Sequence, residues 1–97
     1  MKRDEILDIL KRHRKELRER GVRSLALFGS SARNEAGPKS DVDLLVEINT
    51  PMGLFGLLRI QRFIEQLLGG IPVDLVVKDS VLEELRDDIL EDAVSVI

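Results

Sequence analysis

Apolar positions recur every three or four residues through the first part of the chain, where Ile6, Ile9, Leu10, His13 and Leu17 share one side and Lys and Arg fill most of the rest. That period is helical, and Gly21 supplies its stop. The pattern then changes. Ser24-Leu25-Ala26-Leu27-Phe28 is a short apolar run ended by Gly29, which reads as a buried strand. Ser30 or Ser31 follows as a cap for a short helix through Ala32 and Arg33, and Gly37-Pro38-Lys39-Ser40 marks a loop.

Val42, Leu44, Val46 and Ile48 alternate with Asp41, Asp43, Leu45 and Glu47, so the second strand has one apolar face and one that carries acids at its start. Thr50-Pro51 places a capping hydroxyl before a proline suited to a first helical turn, and the apolar period predicts a helix over 52–68 that stops at Gly69-Gly70. Val73-Asp74-Leu75-Val76-Val77 reads as a third strand with one acid in its middle. Ser80-Val81-Leu82-Glu83 fits a capping box and opens a last helix running to 92. The order is α-β-α-β-α-β-α, an α+β, two-layer arrangement in which helices cover a small sheet, and residues 1–97 form one domain.

Composition narrows the function classes. There is no Cys, which removes disulfides, thiolate nucleophiles and thiolate-bound zinc. The start, Met1-Lys2-Arg3-Asp4-Glu5, is charged where a signal peptide is apolar, and no apolar run reaches the ~20 residues of a membrane span, so a cytoplasmic protein without membrane contact is expected. Residues 1–23 carry nine Lys/Arg against five Asp/Glu, whereas residues 74–97 carry two against eight, a division that points to a polar partner surface. With three Phe and no Trp or Tyr, the chain lacks the stacking platforms of single-strand binders, and direct nucleic-acid binding is not expected.

The chemistry is carried by the acids. Asp41 and Asp43, two apart on a strand, point the same way, with Cα atoms about 6.6 Å apart, and can converge on one hard cation or on a pair of Mg²⁺ ions. Asp74 is costly to bury in a strand unless something positive meets it, and a metal shared with Asp41 and Asp43 meets it. It is then placed to activate an acceptor hydroxyl. Gly29 lets the backbone approach phosphate oxygens, Ser30 adds a donor, and a helix start favours negative charge there. Arg33 can reach a triphosphate, with Lys39 a weaker contributor. An isolated Asp-x-Asp or Gly-Ser is most often only a strand start or a turn, so the weight lies on the conjunction.

Leu25-Ala26-Leu27-Phe28-Gly29-Ser30-Ser31-Ala32-Arg33 and Ser40-Asp41-Val42-Asp43-Leu44-Leu45-Val46 resemble the signature of the polymerase-β-like nucleotidyltransferase superfamily. Over nearly its whole length the chain is similar to the minimal nucleotidyltransferases, or MNT proteins. The resemblance implies a small mixed sheet with helices packed on it, Gly29 and Ser30 holding the triphosphate, Asp41 and Asp43 binding two Mg²⁺ ions, and Asp74 binding one of them while deprotonating the acceptor. It implies transfer of AMP from ATP to a hydroxyl, in MNT antitoxins a tyrosine of a HEPN-type ribonuclease toxin that is thereby silenced. Asn34 stands where many relatives have Gly, and asparagine tolerates left-handed backbone better than most residues. Because the chain has no Tyr, a tyrosine acceptor must belong to another molecule.

Two other functions fit parts of the sequence: an antitoxin that neutralises by binding alone, and a nucleotidyltransferase acting on a small molecule such as an antibiotic, for which 97 residues leave little pocket. The basic stretch Lys11-Arg12-His13-Arg14-Lys15 with Arg18, Arg20 and Arg23 is explained by a solvated helix face with Glu16–Arg20 and Glu19–Arg23 pairs. His13 falls at the edge of the apolar stripe. The 52–68 helix is apolar over more of its circumference than one small sheet can cover, and the tail Ala93–Ile97 is also apolar, so partner contact competes with simple packing for both.

Overall fold

The computed structural model describes residues 2–29, 42–49, 53–78 and 93–97. Its elements are α1 (Arg3–Arg12), α2 (Arg14–Glu19), β1 (Val22–Phe28), β2 (Val42–Ile48), α3 (Gly53–Leu67), β3 (Val73–Val77) and β4 (Val94–Ser95). The expected short helix after Ser30, the Gly37–Ser40 loop, the Thr50-Pro51 cap and the helix after Ser80 lie outside the described residues.

The first helical period is two helices, not one. The His13 side chain is the cause: its Nδ1–H donates to Ile9 O at 2.8 Å, taking the acceptor that the backbone N–H four residues on would use. His13 N–H turns to Leu10 O instead, at 3.2 Å, and α2 begins one residue later. Leu17 remains fully buried across the break. Gly21, at φ +98°, then reverses the chain into β1, a conformation that favours glycine.

The sheet order is β3-β2-β1-β4, with β1 antiparallel to both β2 and β4 and β2 parallel to β3. It is therefore a mixed sheet. The predicted alternation sets its faces: Val42, Leu44 and Val46 of β2, Leu25 and Leu27 of β1 and Val73 of β3 are buried with Ile6, Leu10, Leu17, Ile60, Ile64 and Leu68 of the helical layer. Each fully buried Leu or Ile stabilises the fold by about 1.5–3 kcal/mol relative to leaving it exposed. β4 is an addition to the expected order. The apolar tail packs at home: Val94 pairs with Leu27, Val96 N–H donates to Leu25 O at 2.8 Å, and Val96 is 5% exposed.

The helix face corrects one sequence expectation. Among the described residues neither Glu16–Arg20 nor Glu19–Arg23 forms an ion pair; the spaced pair that does form is Asp8–Arg12, at 2.6 Å. Arg20 lies beyond the end of α2, and its guanidinium sits 3.9 Å from the centre of the Phe63 ring, joining α2 to α3 by a cation–π contact. Among the described residues no helix is long and apolar enough to cross a membrane.

Candidate active site

The second face of the sheet carries the acids. Register pairs Phe28 with Asp43 across β1 and β2, and Asp43 with Asp74 across β2 and β3. Side chains paired across neighbouring strands share a face, so the two carboxylates stand side by side on strands about 4.8 Å apart. Like charges in that position repel unless a cation lies between them or protons are shared.

Gly29 closes the same corner. Its φ is +74°, and a Cβ added to it would lie 2.5 Å from Asp43 Oδ2 and 3.3 Å from Asp43 Cγ. A side chain here would have to adopt a left-handed backbone and displace the Asp43 carboxylate, so glycine suits the close approach of the two. The Gly29 turn and the Asp43 acid, fourteen positions apart in sequence, thus form one corner with Asp74.

Of the residues expected at the site, the structure brings together Gly29, Asp43 and Asp74, while Ser30, Arg33 and Asp41, together with Lys39, lie outside the described residues. The reason given for Asp74 needs correction. The strand has the expected bounds, Val73–Val77, but Asp74, its second residue, is exposed rather than buried. Burial therefore does not compel a positive partner for Asp74; what singles it out is its register beside Asp43. Carboxylate oxygens on adjacent strands are the hard donor set that Mg²⁺ takes, so the residues present suit that ion.

Two residues that sequence reasoning passed over fix this register. Gln61 and Glu65 of α3 grip the first residue of β3: Gln61 Nε2 donates to Val73 O at 2.9 Å, and Val73 N–H donates to Glu65 Oε2 at 2.9 Å. Val42 N–H donates to Pro72 O at 3.0 Å, tying the entry of β3 to β2. Asp74 follows directly. The available signal was a polar pair four apart beside the buried Ile60 and Ile64, aimed at the sheet rather than at water.

Farther along the acid face is a second polar group. Glu47 Oε1 accepts from Ser24 Oγ at 2.8 Å and from Lys78 Nζ at 3.2 Å, beside a cavity of about 210 Å³ floored by Ala26 and Leu45. The Ser24 hydroxyl first and the Lys78 ammonium second hold the Glu47 carboxyl below its ordinary value, against a smaller opposing effect of burial, with Arg23 adding a weaker pull.

The Nucleotidyltransferase domain family matches residues 10–96. The chain belongs to that family. Among its relatives is the protein adenylyltransferase MntA of Thermococcus cleftensis, 43% identical over 94 residues that span 96% of this chain and 94% of that one. A solved structure assigned as a minimal nucleotidyltransferase superposes with a TM-score of 0.83 at 30% identity, covering 97% of this chain and 95% of that chain. The MNT antitoxin bound to a tri-AMPylated HEPN toxin of Shewanella oneidensis superposes with a TM-score of 0.66 at 17% identity, over 94% of this chain and 71% of that chain, and shows the same fold. The resemblance read from the two motifs is thus borne out: the protein is a nucleotidyltransferase of the minimal type, with the expected mixed sheet and helical layer.

Proposed function

We propose that this nucleotidyltransferase moves AMP from ATP to a hydroxyl on another protein, a tyrosine of a HEPN-family toxin, and so acts as its antitoxin. The observation that carries the reading is the corner itself: a glycine turn laid against one carboxylate, with a second carboxylate beside it in parallel register. The name of the Thermococcus relative and the AMPylated toxin of the Shewanella complex support the choice of AMP and of a protein acceptor. Because the chain has no Tyr, such an acceptor comes from a different molecule.

In this reading Gly29 and Ser30 cradle the triphosphate, Arg33 adds a charge-assisted donor, Asp41 and Asp43 hold two Mg²⁺ ions, and Asp74 holds one of them. Bound Mg²⁺ would supply charge neutralisation on the phosphates and lower the pKa of the attacking hydroxyl. The acceptor oxygen attacks the α-phosphorus, the bond to the bridging oxygen breaks, pyrophosphate leaves, and the hydroxyl proton passes to the Asp74 carboxylate. Asp74, exposed at the mouth of the strand, is open to a macromolecular acceptor.

Incubation with ATP, Mg²⁺ and a HEPN-family protein from the same genome, followed by intact-mass measurement, tests the reading. The expected result is a mass gain in whole AMP units on the partner with wild type and none with the Asp41→Asn/Asp43→Asn double variant. A gain that survives in the double variant would sink the proposed site. Equal neutralisation by both proteins without added mass would leave an antitoxin that works by binding.

A further inference from the structure

One side of the amino-terminal part of α3, away from the buried Ile60, is a surface that neither the core nor the acid corner uses. Leu54 is 69% exposed and Phe55 79%, the exposed large apolar side chains among the described residues. Phe55, Leu58, Arg59 and Arg62 line a shallow groove of about 310 Å³. Their spacing, i, i+3, i+4 and i+7, makes them one ridge about two helical turns long. Neither arginine forms an ion pair among the described residues. Isolated exposed apolar residues are ordinary on a protein surface; here an aromatic ring, two leucines and two uncommitted guanidinium groups are contiguous.

The geometry points to this ridge as the docking site for an acidic amphipathic helix of the acceptor protein, whose apolar side chains cover Leu54, Phe55 and Leu58 and whose carboxylates pair with Arg59 and Arg62. A helix suits a two-turn ridge, and carboxylates suit two guanidinium forks. The position adds a reason. α3 starts after the far end of β2, and Asp43 and Ile48 are separated along that strand by about 17 Å, so a helix seated here leaves the carboxylate corner open. Docking and chemistry would then use different faces of the sheet, since α3 packs on the core face and the acids stand on the other. The inference rests on the proposed reading in one respect only, that the occupant is the acceptor protein.

The test uses a synthetic 18-residue amphipathic helix with a leucine stripe and glutamates on its flanks, and a control in which every Glu is Lys, each titrated into the ¹⁵N-labelled full chain. The glutamate peptide is expected to shift the amide signals of Leu54, Phe55, Leu58, Arg59 and Arg62 and to bind at least about tenfold more tightly than the lysine peptide. Phe55→Ala should weaken it about tenfold, and Arg59→Glu/Arg62→Glu should reverse the preference between peptides. ATP binding by both variants, measured separately, should match wild type, so a failure of docking is read apart from a failure of AMP transfer. Equal affinity for the two peptides, no binding, or shifts confined to Arg14 and Arg18 would overturn the proposal. So would a dimer in sedimentation that Phe55→Asp abolishes, since a second copy would then be the occupant.

Discussion

Val42, Leu44 and Val46 on one side of β2 are at most 2% exposed, whereas Asp43 and Glu47, which alternate with them on the other, are half-buried and polar. The same seven residues therefore serve the core on one face and present charge on the other. The division is not complete, because Leu45 on the acid side is also buried, at 5%. What the two faces teach is that stability and chemistry can be changed almost independently here, one residue apart.

The largest expected effect that would break the comparison is on the acid side. Asp43→Asn keeps the shape and removes the charge, so AMP transfer should fall by at least about a thousandfold, while urea unfolding still shows one cooperative transition. One residue on, Leu44→Ala should do the reverse. It deletes a fully buried side chain, so urea unfolding should show a loss of about 3 kcal/mol, with the folded fraction still transferring AMP at close to the wild-type rate.

Gly29→Ala tests the corner where the two faces' separation ends. The left-handed backbone costs about 1–2 kcal/mol for a residue with a Cβ, and that Cβ would collide with Asp43 Oδ2, so both the thermal midpoint and the transfer rate should drop. Glu65→Ala removes the acceptor of the Val73 N–H and should cost about 1–2 kcal/mol, with a transfer defect that Glu65→Gln largely restores.

The smallest effect sharpens the comparison by pH. Glu47 has a lowered pKa in the folded state, held down chiefly by the Ser24 hydroxyl and next by Lys78. Its contribution is therefore fully present above the ordinary carboxylate value near 4.5 and is lost as pH falls through the lower folded value. Glu47→Gln should be about 1 kcal/mol less stable than wild type at pH 7, and the two denaturation curves should converge as the pH is lowered toward 3.

The acid phase of β2, the apolar runs of β1 and β3 and the surplus apolar surface of the long helix were all legible in the sequence, because period-two and period-3.6 patterns report burial directly. The remainder depended on choices that no pattern encodes. His13 breaks the first helix because one ring N–H outcompetes a backbone N–H, and β4 exists because the open edge of β1 accepts a two-residue strand. The bounds of β3 were legible too, but the exposure of Asp74 was not: an acid among β-branched neighbours reads as buried, whereas it lies just past Val73, where Gln61 and Glu65 hold the start of the strand. Of the candidate site, Gly29, Asp43 and Asp74 were found by residue type and spacing; that the glycine lies against the carboxylate is a fact of register and turn.

The central claim is that the acid face binds the nucleotide and the opposite face holds the fold. The direct measurement is the shift in thermal midpoint on adding Mg²⁺ and ATP to wild type and to Asp43→Asn. A ligand that binds only the native state raises the midpoint, by about 2.7 kcal/mol in free energy at a hundred times its Kd. A rise on Mg²⁺-ATP in wild type alone, each protein measured against its own ligand-free midpoint, is the predicted result. An equal rise in Asp43→Asn would contradict it.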